Sequence, residues 1–243
     1  MGKWLLTILF LFASSVLTRW LPFSSFFRNV DTLIHEFGHA VVTLLFSGEV
    51  QYIELFADHS GVTMSMIRRG WAQLGVGLAG YTTAALFTVL WFYLYAKGRQ
   101  RQGLMLLLVI SVVSLALFVR NGFGMLWLGG FIGLTLLVLI IPWRPVTNVF
   151  YLFIAFLSLE ESVFGPVTLV MASLQRPGSA GDASMLAEAT GVPPLIWSGV
   201  FAVFSLWCAT KSLSYFFRRK PARRTGAEGM NAAPSGYSTR LHE

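Results

Sequence analysis

Charge is what this chain has least of. Only 12% of its 243 residues are Asp, Glu, Lys or Arg, about half of the roughly 25% usual in a soluble domain. The remainder falls into apolar runs longer than a soluble core needs. That combination excludes an ordinary soluble domain and points to a polytopic membrane protein. Cysteine is nearly absent too. Cys208 stands alone in the last apolar segment, which excludes an intrachain disulfide and a Cys-based zinc site and leaves it a packing role. No internal repeat is visible, so the usual mark of a solute transporter is missing.

The net charge of +7 is not a nucleic-acid footprint. Its cations gather at Lys97, Arg99 and Arg101, and again at Arg218, Arg219, Lys220, Arg223 and Arg224. Basic clusters at the ends of apolar segments are a topology signal, and they put the C-terminal tail in the cytoplasm. Such a tail also meets anionic lipids of the bilayer.

The apolar pattern divides the chain. Trp4 to about Leu17 reads as a first membrane helix rather than a cleaved signal, with Trp20 to Phe27 continuing along the interface. Asp31 to Phe46 is a second helix that stops at Gly48, and Asp31 is placed to cap it. Val50–Phe56 and Val62–Met66 are predicted strands around the turn Asp58-His59-Ser60-Gly61. His59 is read as a turn residue rather than a metal ligand. Further spans are predicted at Trp71–Ala96, Gly103–Phe118, Met125–Ile141, Val146–Ser173 and Leu195–Phe217. Pro166 is a candidate break in the fourth of these. Gln175 to Pro194 reads as a polar loop. Gly75, Gly77, Gly80, Ala84 and Ala85 suit close helix packing. The expected fold is an all-α polytopic membrane protein of about six to seven transmembrane helices, with a short β-hairpin after the second. Residues 1–217 form one membrane domain, and 218–243 a basic, disordered tail.

Inside the second helix stands His35-Glu36-Phe37-Gly38-His39. Histidines four apart share one helix face and can share a metal ion. The glutamate beside them can act as base for a water that the metal activates. His and Glu are rare in lipid-spanning helices, so a cluster there marks a functional site. Asp31, four residues before His35, is also placed to orient its ring. Catalytic zinc takes three protein ligands and leaves a position open. The candidates for the third are Asp182, Glu160 and Glu161.

The chain resembles the site-2-protease-like intramembrane zinc metalloproteases, in their short branch without PDZ or CBS domains. The resemblance rests on Ile34-His35-Glu36-Phe37-Gly38-His39-Ala40, on Gly48 to Thr63, on Leu78-Ala79-Gly80-Tyr81, and on Gly181-Asp182-Ala183 with Thr190-Gly191-Val192-Pro193. It implies Zn²⁺ held by His35, His39 and Asp182, with Glu36 as the catalytic acid/base. It implies cleavage of peptide bonds in or near the membrane segments of protein substrates, with extended substrate added to the hairpin edge. A regulatory membrane partner would supply any recognition the hairpin does not. The chain departs from the pattern where Thr82 and Thr83 stand in place of glycine, and it lacks an Asn-Pro…Leu-Asp-Gly segment. The alternative is an inactive pseudoprotease that binds membrane partners.

Overall fold

The computed structural model describes residues 24–67 and 70–218. The expected helix at 4–17 and the tail beyond 218 lie outside them. The first described helix, α1, spans Ser24–Leu45. It is already helical seven residues before Asp31, so Asp31 is interior and caps nothing. The cause is aromatic packing. Phe26 meets Trp127 and Phe131, and Phe27 meets Phe150 and Phe153. Burying these rings extends the helix back through its first turns.

The hairpin follows, with β1 at Glu49–Leu55 and β2 at Gly61–Met66. The strands pair antiparallel, with Ile53 opposite Thr63 and Leu55 opposite Gly61. Asp58 closes the turn, since its Oδ1 accepts from the Ser60 amide at 3.0 Å and the Ser60 hydroxyl at 2.6 Å. The Asn121 side chain clamps β1 by bonding both the N–H and the C=O of Leu55.

Among the described residues, five helices are long and apolar enough to cross a membrane. They are α2 (Gly70–Ala96), α3 (Gln100–Val113, ending in a wider turn over Ser114–Phe118), α4 (Gly122–Ile140), α5 (Arg144–Gln175) and α7 (Pro194–Phe217). The chain is thus an integral, multi-pass membrane protein. Short connections make α2 to α5 run alternately up and down. Tyr95 stacks on Phe216, which places the C-terminal ends of α2 and α7 together. α1 is less apolar because Ser25, Arg28, Asn29, Thr32, His35, Glu36 and His39 recur at helical spacing along it.

Two expectations are corrected. Pro166 does not break α5, which runs through it for 32 residues. Leu157, Leu159, Val163 and Leu169 are buried on either side of it. Burial across the proline outweighs one lost backbone bond, and neighbouring helices shield the freed carbonyl. The stretch Gln175–Pro194 is not simply a loop, because it contains α6, Gly181–Thr190. Gly191, at φ +74°, ends that helix in a left-handed cap.

α2 lies at the centre, packed against α1, α5, α6 and α7. The main core gathers around α1 to α5 and the end of α7. A smaller apolar cluster of Leu169, Ala180, Ala183, Leu186 and Phe201 seats α6. That second cluster sets the position of Asp182.

Candidate metal centre

His35 and His39 sit one helical turn apart on α1, facing α2. The Nδ1–H of His39 donates to the Val76 carbonyl at 2.8 Å. A carbonyl only accepts, so Nδ1 must carry the proton and Nε2 presents its lone pair. A bond of this kind to the far ring nitrogen is how metal-ligating histidines are oriented. His35 is held by ring contacts, with the Tyr81 ring edge-on at 4.6 Å.

Asp182, in the first turn of α6, comes to the same point. Its Oδ2 lies 3.3 Å from His35 Nε2 and 3.2 Å from His39 Nε2, and the two nitrogens are 3.1 Å apart. Among the described residues, these three form a cluster able to hold a metal ion. Three observations test the fit of zinc. Ligand atoms on arms of 2.0–2.1 Å around a tetrahedral zinc lie about 3.3–3.4 Å from one another, close to the sides of this triangle. Asp182 Oδ2 is buried and meets no polar group but the two imidazoles, so three potential ligand atoms converge on one point. A Cβ added at Gly80 would collide with both Nε2 atoms, so glycine there keeps the focus of the site open. The residues fit the ion.

The two helices approach closely at Gly38. A Cβ there would fall 2.7 Å from Thr83 Oγ1 and 3.1 Å from the Ala79 carbonyl. Thr83, which departs from the family pattern, is accommodated because the glycine stands opposite it on α1.

Glu36 is buried, with 4% of its surface exposed. The Thr63 hydroxyl on β2 lies 2.6 Å from Glu36 Oε2 and donates to it. Gly61 lies over the same carboxylate, where a Cβ would sit 2.7 Å from Oε1. A cavity of about 730 Å³ opens between this cluster and β2, bounded by His35, Glu36, His39, Asp182 and the strand from Gly61 onward. Among the described residues, the outer edge of β2 has no partner strand.

Other residues singled out by sequence lie elsewhere. Glu160 and Glu161 sit on α5 and pair with Arg28 of α1, Glu160 at 3.1 Å. They do not join the histidines. Asp31 Oδ1 is buried without a hydrogen-bond partner among the described residues and makes no bond to His35. His59 occupies the hairpin turn at φ +69°. Its Nδ1–H donates to Asn29 Oδ1 at 2.9 Å, and its carbonyl accepts from Thr32. Partial burial and the nearby Arg28 guanidinium hold its imidazole below the ordinary pKa. Sequence reasoning missed Thr63, Val76 and the α6 helix. Only α6 left a signal, a run of helix formers from Asp182 to Ala189 stopped by Gly191 and Pro193.

No curated protein and no solved structure gives a significant match to the chain. The sequence model of the family described as Peptidase M50B-like matches residues 4–212. That span takes in the His-Glu-x-x-His helix, the hairpin, Asp182 and nearly all of the last helix. The chain therefore belongs to the Peptidase M50B-like family, membrane metallopeptidases of the site-2-protease type.

Proposed function

We propose that the chain is a zinc-dependent endopeptidase that hydrolyses peptide bonds in or near the membrane-spanning segments of protein substrates. The observation that carries this reading is the triangle of His35 Nε2, His39 Nε2 and Asp182 Oδ2, with Glu36 beside it. His35, His39 and Asp182 would hold the ion. Bound there, zinc would act as a Lewis acid on the scissile carbonyl and make water acidic enough to ionise near neutral pH.

The rest is done by the chain's own side chains. Glu36 takes a proton from the attacking water as its oxygen adds to the carbonyl carbon. Glu36 then hands that proton to the amide nitrogen as the C–N bond breaks, so that acid and amine products leave. The Thr63 hydroxyl holds one carboxylate oxygen of Glu36 and fixes the orientation of the other. His39 is kept in one tautomer by Val76. The free edge of β2 lines the same cavity and can take an extended segment as a further strand. A peptide in a helix satisfies its own backbone groups, so a substrate must unwind to bind this way.

The connectivity places Lys97, Arg99, Arg101, Arg144 and Arg218 at one end of the bundle. The excess of cations supports a cytoplasmic location for that end and the tail beyond it.

The test is Glu36→Gln in the full chain, reconstituted with a membrane-anchored reporter. It should keep stoichiometric zinc and lose cleavage. Continued cleavage would overturn the mechanism. Zinc-free wild-type protein without cleavage would favour the pseudoprotease.

A further inference from the structure

At the opposite end of α2 from the metal-binding cluster, about 24 Å along the helix from Gly80 to Ala96, is a second open cavity of about 640 Å³. It lies between the α2–α3 and α4–α5 connections and is lined by Gly98, Gln100, Arg101, Arg144, Thr147 and Asn148, with Ile141 and Pro142. Its lining offers hydrogen-bond donors and two cations but no carboxylate. No Asp or Glu stands anywhere between Asp58 and Glu160 in the sequence, and neither arginine has an ion-pair partner among the described residues.

Two helices begin at this cavity. Gln100 is the first residue of α3 and Arg144 the first of α5, and neither helix carries a side-chain cap. The amides of Gln102, Gly103, Val146 and Thr147 already bond the Arg99 and Trp143 carbonyls and Pro145 has none, so it is the N–H groups of Arg101 and Arg144 and the positive ends of the two dipoles that favour an anion. An independent observation points the same way. Gln100 is only 6% exposed, and its amide Nε2 is buried with no hydrogen-bond partner among the described residues. A buried amide donor left unmatched costs free energy unless an acceptor comes to it.

We propose that this cavity binds a phosphate group, supplied by the headgroup of an anionic phospholipid. Arg101 and Arg144 neutralise it, and Gln100, Thr147 and Asn148 donate to its oxygens. Phosphate has the oxygens to accept from several such donors at once. The surroundings favour a lipid over a free ion. Ile140, Trp143 and Val149 beside the site are 75%, 63% and 70% exposed, an apolar rim on which acyl chains can lie with tryptophan at headgroup level. The site binds the basic end of the bundle to one leaflet.

Native mass spectrometry of the full chain can test this. The protein is taken from vesicles of mixed phosphatidylcholine and phosphatidylglycerol, as wild type, Gln100→Leu, the double variant Arg101→Gln/Arg144→Gln, and Arg176→Gln at the other end of α5. Wild type should retain one phosphatidylglycerol. The double variant should retain it roughly thirtyfold less, and Gln100→Leu several-fold less with no change in net charge. Arg176→Gln should match wild type. A parallel arm uses phosphatidylcholine alone with millimolar inorganic phosphate. Phosphate held there in place of lipid supports the site and assigns its source to the free anion. Equal retention by wild type and Gln100→Leu, or an equal loss in Arg176→Gln, overturns the proposal. Thermal unfolding reports whether each variant folds, and Gln100→Leu alone decides the matter if the double variant does not.

Discussion

The hydroxyl of Thr63 and the carboxylate of Glu36 are 2.6 Å apart, joining β2 to the middle of α1. If this bond orients the base, Thr63→Val removes the donor and keeps the shape. Cleavage should slow about tenfold, the lower end of what partners one shell out from a metal site contribute. Zinc content should not change, and Thr63→Ser should restore the rate. An unaltered rate in Thr63→Val would release Thr63 from this role.

Asp182 meets the two histidines from a different helix. Asp182→Ala should weaken zinc binding by more than the roughly 10–100-fold that outer partners cost, because it deletes one corner of the triangle. Zinc stoichiometry after dialysis against a mild chelator measures this. Full retention would remove Asp182 from the centre.

Gly80 has no side chain where the imidazoles converge. Gly80→Ala should fold, since it favours the α2 helix, yet lose zinc and cleavage together. Gly133→Ala, where an added Cβ meets nothing within 4 Å, is the matched control and should keep both. A fully loaded Gly80→Ala protein would show that the centre forms differently.

Arg28 faces Glu160 and Glu161 with only 13% of its side chain exposed, against 1% for Glu160. Arg28→Leu leaves buried carboxylates uncompensated, which costs about 3–5 kcal/mol in comparable pairs. Its melting temperature in detergent should fall, and the triple variant with Glu160→Gln and Glu161→Gln should recover much of the loss. Equal melting of Arg28→Leu and wild type would mean that the pairing is not stabilising.

The sequence shows the parts of this site that are local. His35, Glu36 and His39 are readable because helical periodicity puts them together. The hairpin is readable because Asp58 to Gly61 carries turn chemistry between two strand-like runs. The apolar spans are readable from length alone, to within a few residues at each end. What stays hidden depends on contacts far apart in the chain. That α1 already runs as helix before Asp31 depends on Phe26 and Phe27 meeting rings of α4 and α5. Asp182 reaches the histidines because Ala183 and Leu186 are buried in the small cluster under α6, and neither residue type announces a partner. Glu160 and Glu161 are alternatives to Asp182 by residue type, and it is their pairing with Arg28 that takes them away from the centre. The Val76 carbonyl that fixes His39 has no side-chain signature at all.

The hairpin packs on α1, bonded through Thr32 to the His59 carbonyl and through Thr63 to Glu36. On the proposed function, a strand that both grips the base and offers an edge to substrate would make two events mechanically one. A segment that pulled β2 out of place would also slacken Glu36, so a misfitting chain would meet a weakened catalyst. Selectivity of this kind would be graded by how well an unwound stretch seats on a single strand.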